Sequence, residues 1–287
     1  MAKQIIAGIG VNDDVASLAV IEADNDQLEL KHLEEMRIVR GPFWYLELLD
    51  SVDKKLAGRM KKIAFSFDAA PVYLHSFPMD MSLAGGLQEE HAQWELSQVL
   101  PDYTPERYPS KILNMHVADG ESVQNVVTIA TDGNAINELQ DALKEKKFHL
   151  GPVTAELTTV GRSLYRSHPE EKQRRSAFLH VGADKIQLVQ YTGGEIAGYQ
   201  TAHSADRDEL IQHVIRMISN EEADMLYPYG SGLTVDWTKR LREARGKQFM
   251  PLNPFRRLRI TPDVHNFGRF IGREYRFPSA VGAALSN

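Results

Sequence analysis

The sequence predicts a duplicated α/β fold, and three observations carry that prediction. A short meander of three strands occurs twice, an amphipathic helical segment follows each copy, and further strands and helices alternate around them. Short β-rich runs bounded by Gly, Asn and Asp turns read as antiparallel hairpins. Strands alternating with helices point to a layered α/β architecture. The repeat is long and occurs twice, so it is an internal duplication rather than a solenoid.

The first copy runs Lys3 to Gly10, turns at Val11-Asn-Asp-Asp14, continues Val15 to Ile21, turns at Asp24-Asn-Asp26 and enters a third strand at Leu28-Glu-Leu30. Apolar residues at helical spacing then predict a helix over 43–56. Ile63–Phe67 and Val72–Phe77 read as strands, Leu87–Leu100 as a helix stopped by Pro101, and Val126–Ala130 as a buried strand. Ala135–Lys147 is amphipathic, with lysines at the end its dipole favours. Thr154–Tyr165 reads as another helix, and the charged stretch from His168 to Arg175 marks the boundary between halves.

The second copy runs Ala177 to Gly182, turns at Ala183-Asp-Lys185, continues Ile186 to Tyr191, turns at Thr192-Gly-Gly194 and ends in Ile196 to Tyr199. The segment 206–218 then carries Leu210, Ile211, Val214, Ile215 and Ile218 on one helical face. Met225-Leu-Tyr227 is a short strand leading to Gly230-Ser-Gly232, Asp236–Ala244 is a helix, and Pro278–Leu285 is a terminal helix of small residues.

With 287 residues, 43% of them hydrophobic, the chain can bury a sizeable core. The formal charge of −6 gives no global footprint for nucleic acid. There are no cysteines, which excludes disulfides and thiolate chemistry. No run approaches the ~20 apolar residues that span a bilayer, and the N-terminus turns polar too soon for a signal peptide.

The chain resembles the PilM family of type IV pilus assembly proteins and, more loosely, FtsA and the cytoplasmic domain of GspL of type II secretion. The residues that carry the resemblance occur in the family's order: Phe77-Pro78, a helix with Gln93-Trp94-Glu95 closing in Val99-Leu100-Pro101, Ala155-Glu156 to Leu164, Leu252-Asn253-Pro254-Phe255, and Val281 to Leu285. The resemblance covers the whole chain. It implies an actin-like (ribonuclease H-like) ATPase fold with a first half over 1–167, a small insert subdomain at about 79–119, and a second half over 168–287. It further implies a cytoplasmic scaffold, peripheral at the inner membrane, that takes a short N-terminal peptide of a bitopic PilN-like protein in the groove between the insert and the first subdomain. Self-association is compatible with it; nucleic acid is not expected. The alternatives are an active ATPase or phosphotransferase of the same fold and a GspL-like cytoplasmic domain.

Proteins of this fold hold ATP and Mg²⁺ between two hairpin turns, with a carboxylate on each first strand, since a hard divalent ion prefers oxygen ligands. By the resemblance, Gly10, Asn12, Asp13 and Asp14 form the first turn, Gly182, Ala183 and Asp184 the second, and Gly230, Ser231 and Gly232 the adenosine-side turn. Gly10 and His180 stand where aspartates are expected, and Asn12 stands for a turn glycine. Asp13, Asp14 and Asp184 are positioned to substitute, but aspartate favours exposed turns regardless of function. Gly230-Ser-Gly232 reads equally as a glycine-rich connection. The nucleotide site is therefore expected to be degenerate, with no catalytic or metal-ligating residue assigned and ATP with Mg²⁺ in doubt.

The histidines show no metal-ligand spacing, and there is no Walker loop or complete dinucleotide fingerprint. The basic C-terminal stretch, from Lys239 through Arg276, reads as a solvated face before it reads as a lipid-facing patch.

Overall fold

The computed structural model describes residues 4–12, 14–24, 27–37, 41–113, 122–219, 223–246 and 248–286. Its first meander is β1 (Gln4–Asn12), β2 (Val15–Asp24) and β3 (Gln27–Arg37). The helix expected over 43–56 is split. A 3-10 segment, Trp44–Ser51, is followed by the single turn α1 (Lys54–Ala57), whose cap Asp53 accepts from the backbone N–H groups of Lys55 and Leu56. The Asp53 side chain starts a new turn there, and Ser51 Oγ closes the old one on Leu48 O at 2.7 Å.

Next come β4 (Lys62–Phe67), β5 (Val72–Asp80), α2 (Gly85–Val99), β6 (Ser110–Ile112), β7 (Val123–Thr131) and α3 (Gly133–Glu145). The strand β8 (His149–Ala155) leads into α4 (Glu156–Ser167). The second meander is β9 (Ser176–Val181), β10 (Lys185–Thr192) and β11 (Glu195–His203), followed by α5 (Arg207–Ser219), β12 (Met225–Tyr229) and α6 (Val235–Arg245). The chain ends with β13 (Arg259–His265) and α7 (Pro278–Ala284).

The duplication is explicit in the strand orders. The first sheet runs β13-β3-β2-β1-β4-β8 and the second β11-β10-β9-β12. In both, an antiparallel meander is joined through its first strand to a parallel strand, β1 to β4 and β9 to β12. A third sheet, β5-β7-β6, gathers residues between 72 and 131, and α2 packs on it. Strands β1 and β9 read as near-continuous apolar runs because both faces are covered.

One core runs through both halves, from Ile9, Phe65 and Leu139 of the first to Phe178, Tyr191 and Tyr227 of the second. A second cluster, with Leu179, Ile186, Val214 and Trp237, lies under α5 and α6. A third lies under α7 and includes Ile6, Ile21, Phe277 and Val281.

The terminal helix α7 is buried along its whole length between the first sheet and α4. Its residues are small because its backbone touches theirs. A Cβ on Gly8 would meet Ala280 O at 2.2 Å and Ala284 N at 2.2 Å, and one on Gly282 would meet Thr159 O at 1.9 Å. At Gly10 it would meet Ser279 Cβ at 2.7 Å. Gly8→Ala is therefore expected to cost about 1–3 kcal/mol in urea denaturation, since neither neighbour is a flexible side-chain end. Gly86→Ala, in open space on α2, is expected to lose nothing and gain up to about 1 kcal/mol.

Candidate functional site

The ends of β1, β4 and β8 lie side by side, and the chain leaves each at a polar residue: Asn12, Asp68 and Glu156. Open α/β sheets place ligands outside the carboxyl ends of their parallel strands. From the second half, β9 brings His180 and the start of β10 brings Lys185, while α7 supplies Ser279. All six are buried, His180 and Glu156 almost completely.

Asn12 lies at the centre of this cluster. Its amide nitrogen donates to Glu156 Oε1 at 2.5 Å and lies 3.1 Å from His180 Nε2. The Ser279 hydroxyl donates to the same Glu156 oxygen. Lys185 Nζ lies 2.9 Å from Asp68 Oδ2 and donates to the Asp68 carbonyl at 3.1 Å. His180 is tilted over Tyr229, with ring centroids 5.2 Å apart.

Glu156 is the first residue of α4, where the helix dipole favours its charge. Burial works against that charge and dominates, so its pKa lies above the ordinary carboxylate value. Asp68 nearby adds to the rise, while His180, Ser279 and Asn12 oppose it. Among the described residues, Glu156 Oε2 and His180 Nδ1 have no hydrogen-bond partner, and they face one another at 3.6 Å.

Asp68, Glu156 and His180 offer ligand atoms within 4.8 Å of one another, a spacing that suits a small cation. The surrounding hydrogen bonds do not. The Asn12 amide nitrogen already engages both Glu156 Oε1 and His180 Nε2, and Lys185 already meets Asp68, so the polar atoms around that space are committed to one another. The residues present do not fit a divalent ion, and they do not fit the hydrated Mg²⁺ of an ATP-bound actin-like site either. Gly10, where a carboxylate was expected, lies under α7 with no room for a side chain.

The expected nucleotide residues are partly brought together. Asp14, Gly182, Ala183, Ser231 and Gly232 line one cavity of about 290 Å³, reached between the two hairpin turns. Gly232 donates to Val181 O at 2.9 Å, tying the adenosine-side turn to the end of β9. Gly230, at φ 111°, is tucked against His180. Asn12 belongs to the buried cluster, Asp184 is an exposed turn residue, and Asp13 lies outside the described residues.

Sequence reasoning gave no role to Asp68, Glu156, Lys185 or Ser279, nor to Arg37 and Arg207, which line the cavity. Glu156 stood in a motif that carried the resemblance, and its place directly after an alanine at a helix start was the available signal.

No protein-family model and no curated protein matches the sequence. Among solved structures, the fold is similar to a chain of the PilM–PilN type IV pilus biogenesis complex, with a TM-score of 0.73 at 17% identity over 98% of this chain and 97% of that one. It is also similar to a Bacteroides thetaiotaomicron protein with an actin-like ATPase fold, at TM-score 0.54 and 14% identity over 88% and 91% of the two chains. For the ethanolamine utilization protein EutJ from Carboxydothermus hydrogenoformans the values are 0.51 and 8% over 100% and 91%. These likenesses show that the chain has the actin-like ATPase fold.

Two outcomes follow from the cluster. Lys185→Met leaves the buried Asp68 carboxylate without its cation and is expected to cost about 3–5 kcal/mol, most of it recovered in the Lys185→Met/Asp68→Leu double variant. Urea midpoints for the single and double variants measure that coupling. Because the Glu156 pKa is raised on folding, its contribution is full below the unfolded value of about 4.3 and is lost as pH climbs through the folded pKa. Glu156→Gln is expected to flatten the decline of stability from about pH 4.3 upward, read from unfolding midpoints across that range.

Proposed function

We propose that this chain is a non-hydrolysing scaffold of a type IV pilus or related secretion machine, seated at the cytoplasmic face of the inner membrane through a membrane partner. The observation that carries the reading is the replaced catalytic centre. Gly10 is closed off by α7, and the second carboxylate position, His180, is absorbed into a buried network with Asn12, Glu156 and Asp68. A fold retained without its metal carboxylates serves shape rather than turnover. The likeness to the PilM–PilN complex supports the choice of machine and of a PilN-like partner. Among the described residues, no helix is long and apolar enough to cross a membrane, which is compatible with attachment through that partner.

The insert of the first half, about residues 79–119, supplies the seat for the partner's peptide. Helix α2 and strand β6 border a groove of about 640 Å³, floored by Ala92, Ile112 and Val126. Strand β6 is the edge of its sheet. Leu113 N–H and Pro109 C=O bond to β7 at 2.9 and 3.1 Å, so the backbone groups of Ser110 and Ile112 turn outward. An extended peptide can pair with such an edge and set alternate side chains into the groove.

Calorimetric titration with a synthetic N-terminal peptide of a PilN-like protein tests the reading. Binding is expected without ATP. Gln93→Trp, which fills the groove from an exposed helix position, is expected to weaken it by roughly tenfold or more, about 1.4 kcal/mol, with the unfolding midpoint unchanged. Absence of binding sinks the scaffold reading, and ATP-dependent phosphate release lost on Asp14→Ala returns the chain to the active ATPases.

A further inference from the structure

Residues 168–175 carry the chain from α4, which packs against α7 and the first sheet, to β9 of the second sheet. We propose that the buried His168 imidazole and the Arg256 guanidinium form a proton-sensitive latch on this crossing. The latch is closed on the neutral ring and opens when the ring is protonated. This goes beyond the scaffold reading and stands on different residues.

His168 caps the C-terminal end of α4, where its backbone N–H donates to Leu164 O at 2.6 Å. A 3-10 turn, Pro169–Gln173, follows at once, because proline ends the helix. Only 2% of His168 is exposed. Opposite it runs the segment from Leu252 to Arg256. Leu252 is buried in the core shared by both halves and its N–H donates to Pro228 O at 3.0 Å. Asn253 Oδ1 accepts from the Phe255 N–H at 2.9 Å, and Phe255 packs under α7 against Phe267 and Phe277. With both sides anchored, the turn brings Arg256 to the crossing. Its Nη1 lies 2.6 Å from His168 Nδ1 and donates to Glu170 Oε1 at 3.0 Å.

A guanidinium donates and never accepts, so His168 Nδ1 is the acceptor and the neutral ring keeps its proton on Nε2. A second proton has only Nδ1 to occupy. There it meets the Arg256 N–H and sets two cations in contact. The other groups around the ring are already engaged. Glu170 lies 3.7 Å from Nδ1 but pairs with Arg256 and, at 3.8 Å, with Arg257. Glu171, itself buried, takes Arg174 at 3.1 Å and the Ser176 hydroxyl at 3.2 Å. From β12, the Tyr227 ring lies 5.9 Å away and burial keeps its phenol neutral. Burial holds the His168 pKa below the ordinary imidazole value, and Arg256 lowers it further. Glu170, Glu171 and the Asn253 backbone oppose that fall without reversing it.

Because the folded ring lies below its unfolded value of about 6.5, the latch contributes fully above that pH. Its contribution is lost as pH falls from about 6.5 toward the folded pKa. Glu195, in the turn between β10 and β11, lines the groove bordered by α2 and β6. A change in how the second sheet sits against the first therefore reaches that groove.

Native-state hydrogen exchange of the whole chain tests the latch at about pH 7.5 and about pH 5.5, after correction for intrinsic exchange rates. Protection of residues 168–175 is expected to fall roughly threefold to tenfold at the lower pH, which lies about one unit below the open ring's pKa. Protection of α5 is expected to stay unchanged. His168→Gln keeps an acceptor for Arg256 and takes no proton, so it is expected to remove the pH effect. Arg256→Gln is expected to raise the His168 pKa, read from the imidazole C–H resonance in an NMR titration. Should His168→Gln unfold, that titration decides alone. The proposal is overturned by unchanged protection at the lower pH or by an equal pH effect in His168→Gln. A ring that titrates at or above about 6.5, or one indifferent to Arg256→Gln, overturns it as well. No peptide enters these measurements, so the latch and the scaffold reading fail separately.

Discussion

The contact between the backbone of α7 and that of β1 sets the terms for the rest of this molecule. A helix of Pro, Ser, Ala, Val and Gly lies against the first strand so closely that Gly8 and Gly10 have no space for a Cβ. It brings the end of the chain back to the beginning and completes the core over the first sheet. Its consequence reaches the functional centre. No carboxylate can stand at position 10 while Ser279 and Ala280 occupy that volume, and the Ser279 hydroxyl instead reaches Glu156 from above. Fold and chemistry are decided by the same few ångströms.

That exchange leaves a cluster whose charges balance internally. Lys185 meets Asp68, burial drives Glu156 toward its neutral form, and Asn12 bridges Glu156 to His180. The partners come from both halves, so the cluster also joins the second sheet to the first. A lysine on β10 supplies the cation that bridges the halves. A buried ion pair adds little net stability over an apolar pair of the same shape, but breaking one partner is expensive. The arrangement therefore fixes the two halves relative to each other more than it strengthens the fold.

The legible part of this structure was its periodicity. Both meanders, the amphipathic helices α3 and α5 and the small-residue helix α7 follow from local pattern, because turn residues and apolar spacing act within a few positions. Three strands were not legible. In β8, Gly151-Pro152 resembles a turn, and β13 carries Pro262, which only an edge strand tolerates. At three residues β6 is too short to show alternation. Of the site, the turn residues that line the cleft, among them Asp14, Gly182 and Gly232, were readable by resemblance. The grouping of Asp68, Glu156 and Lys185 was not, because they are separated by 88 and 29 positions and only the folded sheets bring them together. Arg37 and Arg207 were hidden for the same reason.

A site that merely decayed would leave uncompensated polar groups, since nothing would select partners for what remained. This cluster shows the opposite. The space at Gly10 is filled by α7, the Asp68 charge is met by Lys185, and one Glu156 oxygen takes two donors. A residual mismatch is Glu156 Oε2 facing His180 Nδ1 at 3.6 Å. Replacement rather than loss is what the scaffold role proposed above requires, since under that proposal the internal ion pair between Lys185 and Asp68 would hold the shape without a ligand.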